Sequence, residues 1–172
     1  MNEADPVVFH LIGTIHTPHR DPEQTPIQPV YARGVEGFAQ LAPEYAEGLQ
    51  DLAGFSHIYL IYLFHRAQAC RLTVQPYLED VTHGIFATRA PQRPNPIGFS
   101  VVRLSRIEGH TLYLRDVDML DGTPLLDIKP YIPRFDHRED VQSGWQAGVD
   151  ESTAQARGHR LHARNDDRTE MG

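Results

Sequence analysis

Proline placement constrains this chain more than any other feature. Prolines stand at 18, 22, 26 and 29, then at 91, 94 and 96, then at 124, 130 and 133. Each removes a backbone N–H and restricts the residue before it, so no helix runs through the 16–33 stretch. Short apolar runs lie between the proline clusters. Residues 7–15, VVFHLIGTI, are apolar and β-branched and predict a strand, as do residues 35–41. Residues 57–65, HIYLIYLFH, are the most apolar segment and predict a central strand, with His57 and His65 on one face if it stays extended. LTVQPYL and GIFATR add two more strands. Residues 99–120 read as a hairpin turned at Gly109-His110, with Leu112 and Leu114 pointing the same way. Residues 43–52 predict a short helix with proline in its first turn. The segment 120–135 is turn-rich. Many short strands at close spacing imply a mainly β domain, a sandwich or a barrel.

At 172 residues the chain suits one domain, expected over 1–147, followed by a flexible polar tail over 148–172. A chain of this length buries roughly 70% of its unfolded surface, so it needs no disulfide. Cys70 is the single cysteine, which excludes an internal disulfide and a multi-cysteine zinc site and fits a reducing cytosol. The acidic N-terminus does not read as a secretory signal, and no apolar run suits a membrane span. The formal net charge of −7 speaks against broad nonspecific affinity for nucleic acid, while leaving room for a local basic patch. Of 16 basic residues only Lys129 is lysine, so arginine, a planar two-pronged ligand for carboxylate and phosphate, dominates. His16 and His19 form an H-x-x-H pair without a third ligand, so no metal is expected.

The stretch FATRAPQRPNPIGFS, residues 86–100, is stiffened by three prolines and carries Arg89, Arg93 and Asn95. Such a loop loses little entropy when a ligand docks. Arg89 is expected to project as a fork from a strand end, and Gly98 to permit a backbone turn. The alternative is a rigid turn whose arginines pair with nearby acids.

ATRAPQRPNPIGFSVVRL (87–104) followed by VDMLDGTPLLDIKPYIP (117–133) resembles the TrmO family of S-adenosylmethionine-dependent tRNA methyltransferases. IGTIHTPH (12–19) and GFSHIYLIYLFH (54–65) extend the resemblance across most of the chain. It implies a compact single-domain β-barrel with short helices and a homodimer with cofactor sites near the subunit interface. It also implies a cytoplasmic enzyme that methylates N6 of N6-threonylcarbamoyladenosine, just 3′ of the anticodon of tRNA. The arginine of the family's PRQP loop is replaced here by Ile27, and the glycine pair of a WRPTVRPPRLGG element is missing around residues 71–77. The chain resembles the shorter members, without a C-terminal extension.

The cofactor S-adenosylmethionine presents an adenine, a ribose, an amino-carboxylate and a sulfonium. The resemblance assigns cofactor contacts to Pro26, Ile27, Gln28, His65, Arg66, Arg89, Phe99, Asp118, Asp121, Gly122, Thr123 and Pro124. Arg89 suits the carboxylate, or else it holds Asp118 or Asp121 as an ion pair. Gln28 suits an adenine edge, or else faces solvent. Phe99 suits the adenine ring, or else the core. Arg93, Asn95 and Lys129 are the substrate-side candidates. Asp127, Lys129, Tyr131 and Asn95 are the candidates for catalysis, with a desolvated Lys129 as a base or as a ligand for a substrate anion. Two other readings remain: methyl transfer to a small molecule, and a regulatory module that binds the cofactor without turnover.

Overall fold

In the computed structural model, residues 7–160 are described. Eight strands form: β1 (Gly13–His16), β2 (Glu36–Leu41), β3 (His57–Leu63), β4 (Thr73–Val74), β5 (His83–Gly84), β6 (Ile97–Glu108), β7 (Thr111–Arg115) and β8 (Thr123–Pro130). Six of them close into a barrel in the order β1-β2-β7-β6-β3-β8, every pair antiparallel, and β4 and β5 form a separate ribbon. Closure leaves the barrel with no free edge. Two short helices, α1 (Pro133–Asp136) and α2 (Glu151–Gly158), follow the last strand. The remaining helical turns are 3₁₀, and three of them begin at prolines, Pro22–Gln24, Pro29–Tyr31 and Pro43–Leu49.

The core follows from period-2 alternation. Ile58, Leu60 and Tyr62 of β3 point inward, as do Gly98, Ser100, Val102 and Leu104 of β6. They meet Ile15, Ala39, Leu41, Leu112, Leu114 and Leu125 in one cluster. Leu112 and Leu114 do share the inner face, and Gly109 at φ 59° turns the hairpin.

Several elements differ from the sequence expectation. The strand expected over 7–15 begins only at Gly13, and Val7, Val8 and Phe9 before it are exposed. The β3 strand ends at Leu63, and His65 lies in the turn beyond it, so His57 and His65 do not share a strand face. GIFATR forms a 3₁₀ turn at Ile85–Ala87 instead of a strand. The Arg93 guanidinium takes the carbonyls of Ile85 and Thr88, which a ladder would otherwise have used. The turn-rich reading of 120–135 gives way to β8, eight residues long and paired on both sides. Its prolines, Pro124 and Pro130, fall near the two ends, where a missing N–H disturbs the ladder least. Where a flexible polar tail is expected from 148, residues 151–158 are helical, with Asp150 accepting the Thr153 N–H as cap. The rest of that tail, 161–172, lies outside the described residues. Among the described residues no helix is long and apolar enough to cross a membrane.

Candidate functional site

The alternating strand directions around the barrel decide where the chemistry collects. β1, β3 and β7 run toward one end of the barrel, and β2, β6 and β8 run away from it. The loops at that end are therefore 17–35, 64–96 and 116–122. They carry the histidine–proline element, the RPNPIG loop and the DGTP bend. Three segments far apart in sequence meet because of barrel connectivity alone.

Two clusters form at this mouth. In the first, Arg89 Nη1 donates to Gln28 Oε1 at 2.6 Å, and the Arg89 guanidinium lies 4.8 Å from the centre of the Phe99 ring. Arg89 pairs with neither Asp118 nor Asp121 and follows a 3₁₀ turn, so the expected fork from a strand end is a fork from a loop. The Gln28 amide donates in turn to the Ile27 carbonyl at 2.6 Å. Pro26 is buried beneath this loop. Phe99 is 44% exposed on the outer face of β6 and is not a core residue.

In the second cluster, Thr123 is buried and its Oγ1 lies 3.5 Å from His65 Nδ1. Burial, reinforced by the Arg66 charge, pushes the His65 imidazole below its ordinary value, which favours its neutral form. Arg66 donates to the Arg20 carbonyl at 3.0 Å, and Arg20 itself pairs with Asp121. Gly122 sits at φ 75°, which a side chain at the DGTP bend would resist. Pro124 opens the strand beyond it.

The IGTIHTPH element holds that bend in place. The Thr17 N–H donates to Asp121 Oδ1 at 3.1 Å, and Thr17 Oγ1 donates to the Met119 carbonyl at 2.8 Å. The His19 ring bonds the Val117 carbonyl at 2.9 Å, while the Asp121 N–H donates to the His19 carbonyl at 2.8 Å. His16 lies 3.4 Å from Asp121 and stacks on Phe38. These histidines brace two loops against each other.

A buried hydrogen-bonded chain runs from β3 through β6 to the 116–122 loop. Tyr62 OH lies 3.0 Å from Ser100 Oγ, which donates to Asp118 Oδ1 at 2.7 Å. The sequence reading missed Tyr62 and Ser100. The available signal was register: both fall on the inner face of strands whose other inward residues are apolar or glycine. Burial pushes the Asp118 carboxyl up to about 7, against the pull of Ser100 and of the Arg89 and Arg160 charges. The unfolded chain releases that proton near 3.8. Between these values the folded state binds the extra proton, so stability falls as pH rises from about 4 to 7 and stays lower above. About three pH units correspond to a contribution on the order of 4 kcal/mol. Asp118→Asn is therefore expected to flatten this part of the pH–stability curve. Denaturant unfolding at pH 5 and pH 8 measures it, and parallel curves for the two proteins would refute it.

The DIKPY residues lie elsewhere. Asp127, Lys129 and Tyr131 lie at the outer wall, near the opposite end of the barrel. Lys129 faces Tyr59 across the ladder, and the Tyr131 N–H donates to the His57 carbonyl. Six residues separate Thr123 from Lys129, about 20 Å of strand. Lys129 Nζ is 2.8 Å from Asp127 Oδ2, and its side chain is 62% exposed, so the expected desolvated lysine is not found. Arg93 is turned inward onto the Ile85 and Thr88 carbonyls and braces its own loop, whereas Asn95 is exposed at the loop tip.

A family model of the tRNA-methyltransferase O N-terminal domain matches residues 14–137. The chain belongs to this family. The matched stretch contains the barrel, short of Gly13 at the start of β1, and both loop clusters. A Pyrococcus abyssi protein described as "Probable S-adenosyl-L-methionine-binding protein" is 56% identical over 139 residues, 81% of this chain and 76% of that one. The Escherichia coli tRNA (adenine(37)-N6)-methyltransferase is 35% identical over 147 residues, 80% of this chain and 63% of the enzyme. The crystal structure of TrmO from Pseudomonas aeruginosa superposes with a TM-score of 0.69 at 38% identity, covering 82% of this chain and 63% of that one. The TrmO-type barrel expected from the sequence is the fold found. The chain thus spans a little under two thirds of these bacterial TrmO proteins.

Proposed function

We propose that the chain binds S-adenosylmethionine at the barrel mouth and methylates adenine N6 in tRNA. The finer substrate is N6-threonylcarbamoyladenosine beside the anticodon, in a cytoplasmic enzyme. The observation that carries this reading is that the Gln28–Arg89–Phe99 cluster and the Asp121–Thr123–His65 cluster stand at the same end of one closed barrel, in a chain of the TrmO family.

S-adenosylmethionine supplies an activated methyl group. Arg89, exposed and forked, suits its carboxylate, and Phe99 offers an aromatic face for the adenine. Gln28 and Thr123 bring polar groups to the same mouth, and Asp121 and Asp118 bring negative charge that favours a cationic sulfonium. Neutral His65 adds no positive charge against that cation. Held by Arg89, Phe99 and the 121–124 bend, the bound cofactor would supply its methyl group to the adenine N6 lone pair, with the neutral thioether as leaving group. The N6 proton passes to a protein acceptor or to water. Alignment supplies most of the acceleration, on the order of 7–11 kcal/mol.

Lys129, Asp127 and Tyr131 are proposed as the substrate-side groups, with Asn95 at the loop tip and Arg93 behind it. Their distance from Thr123 favours a homodimer in which one copy's outer wall faces the other's mouth. The aromatic outer surface, with Tyr59 beside both Phe99 and Tyr131, suits such a contact.

The test is incubation of the purified chain with unmethylated tRNA and isotope-labelled S-adenosylmethionine, followed by mass spectrometry of the nucleosides. One labelled methyl group on the threonylcarbamoylated adenosine is expected. Cofactor binding without any tRNA methylation would leave the small-molecule and regulatory readings instead.

A further inference from the structure

The family match ends at residue 137, yet the chain beyond it returns to the barrel mouth. Trp145 Nε1 donates to the Ala87 carbonyl at 2.8 Å, two residues before Arg89, and its indole stacks on His83 at 4.9 Å. The helix α2 then crosses toward the 22–31 loop. Arg157 grips Asp80 with two hydrogen bonds of 3.0 and 3.2 Å. The Gly158 carbonyl accepts the Ile27 N–H at 3.0 Å, and Gly158 itself packs flat against the Tyr31 ring. One segment thus holds both loops of the first cluster, at Ile27 and at Ala87.

Arg160 ends this strap. Its backbone, at φ 59°, turns the chain inward, its Nη1 donates to the Pro22 carbonyl, and its guanidinium lies 4.5 Å above the Tyr77 ring. Among the described residues, its Nε is the buried side-chain polar atom left without a hydrogen-bond partner. A buried unpaired donor costs free energy, so folding alone gives no reason for an arginine here. The groups facing Asp118 are Ser100 of β6, Tyr62 of β3, Arg89 of the proline loop and Arg160 of the strap. The sequence reading placed Arg160 in a flexible polar tail, whereas it is half-buried with its Nε enclosed.

We propose that residues 144–160 form a positioning strap for the cofactor site, and that Arg160 is its positioning residue. It acts in two ways: it fixes the start of the Pro22–Gln28 loop through the Pro22 carbonyl, and its charge acts on Asp118 across space, without an ion pair. This inference rests on the cofactor site proposed above. It deepens that proposal by adding residues outside the family domain. Charge near Asp118 then sets how readily the carboxylate ionises, and hence how the mouth receives a cationic ligand.

Calorimetric titration of S-adenosylmethionine into the full chain from pH 5.5 to 8.5 tests this. Arg160→Gln keeps a donor for Pro22 and removes the charge; Arg160→Lys keeps the charge. Arg160→Gln is expected to weaken binding about tenfold at neutral pH. It also moves the pH midpoint of binding upward from near 7, because Asp118 loses a stabilising cation. Arg160→Lys restores the wild-type midpoint and most of the affinity. Trp145→Phe, which removes the donor to Ala87 and keeps a ring, weakens binding in the same direction with no change of midpoint. A merely structural role predicts that the Gln and Lys variants share the wild-type profile, and that result overturns the inference. Absence of binding by the wild-type chain overturns the cofactor site itself and this inference with it.

Discussion

Arg89→Ala is expected to lower the affinity for S-adenosylmethionine by about 10- to 100-fold while leaving the barrel folded. Arg89 is exposed at the mouth, with Gln28 on one side and the Phe99 ring below. A charge-assisted hydrogen bond to a carboxylate contributes roughly 1.5–3 kcal/mol, which sets the size of the loss. The variant also leaves Gln28 without its partner, so the 26–28 loop loses order. Arg89→Lys should recover little, because a point charge does not reproduce a planar fork. Calorimetry measures the affinity, and a thermal melt shows that the fold persists. Wild-type affinity in Arg89→Ala would remove the first cluster from the site.

Gly98→Ala is expected to cost stability and binding together. A Cβ at Gly98 would sit 2.4 Å from Tyr62 Cε2, 2.7 Å from Tyr62 Cζ and 2.8 Å from Phe64 Cζ. Rings packed inside a barrel have nowhere to move, and overpacking of this kind costs roughly 1–3 kcal/mol. The displaced ring carries the hydroxyl that meets Ser100, so the chain to Asp118 breaks as well. Denaturant unfolding reads the first effect and cofactor titration the second. Tyr62→Ala in the same background removes the two closest contacts and leaves room for Phe64 to shift, so the double variant should cost less than the sum of the two single ones. Additive costs would show that the Gly98–Tyr62 contact is not what excludes a side chain.

The Gly98 case also marks what the sequence could and could not reveal. A glycine after a proline loop suggests backbone freedom, but Gly98 lies within a regular strand and is needed for lack of a side chain. That requirement comes from Tyr62, 36 positions earlier, and pairing across β3 and β6 is invisible to local pattern. The alternation of β3 and of the β6–β7 hairpin was legible because one face of each is apolar. Strand β8 was hidden by its own prolines. The RPNPIG and DGTP motifs were legible as motifs, and their placement at one end of the barrel was not, since it follows from barrel closure. Lys129 was read as a desolvated base or an anion ligand from its motif, yet the irregularity after Leu125 shifts the alternation of β8 and leaves Lys129 exposed. The 150–160 segment looked like tail because its few apolar groups hid how it docks. It is fixed by backbone bonds, an arginine fork and a glycine against a ring, none of which a hydropathy pattern carries.

The central claim is that the proline loop and the DGTP bend serve one cofactor site. A crystal structure of the chain with S-adenosylhomocysteine tests it most directly. The ligand is expected at the barrel mouth, touching Arg89 and Phe99 on one side and the 121–124 bend on the other, counting residues from either copy of a dimer. A ligand that touches one of these segments while the other lies far from it would contradict the account.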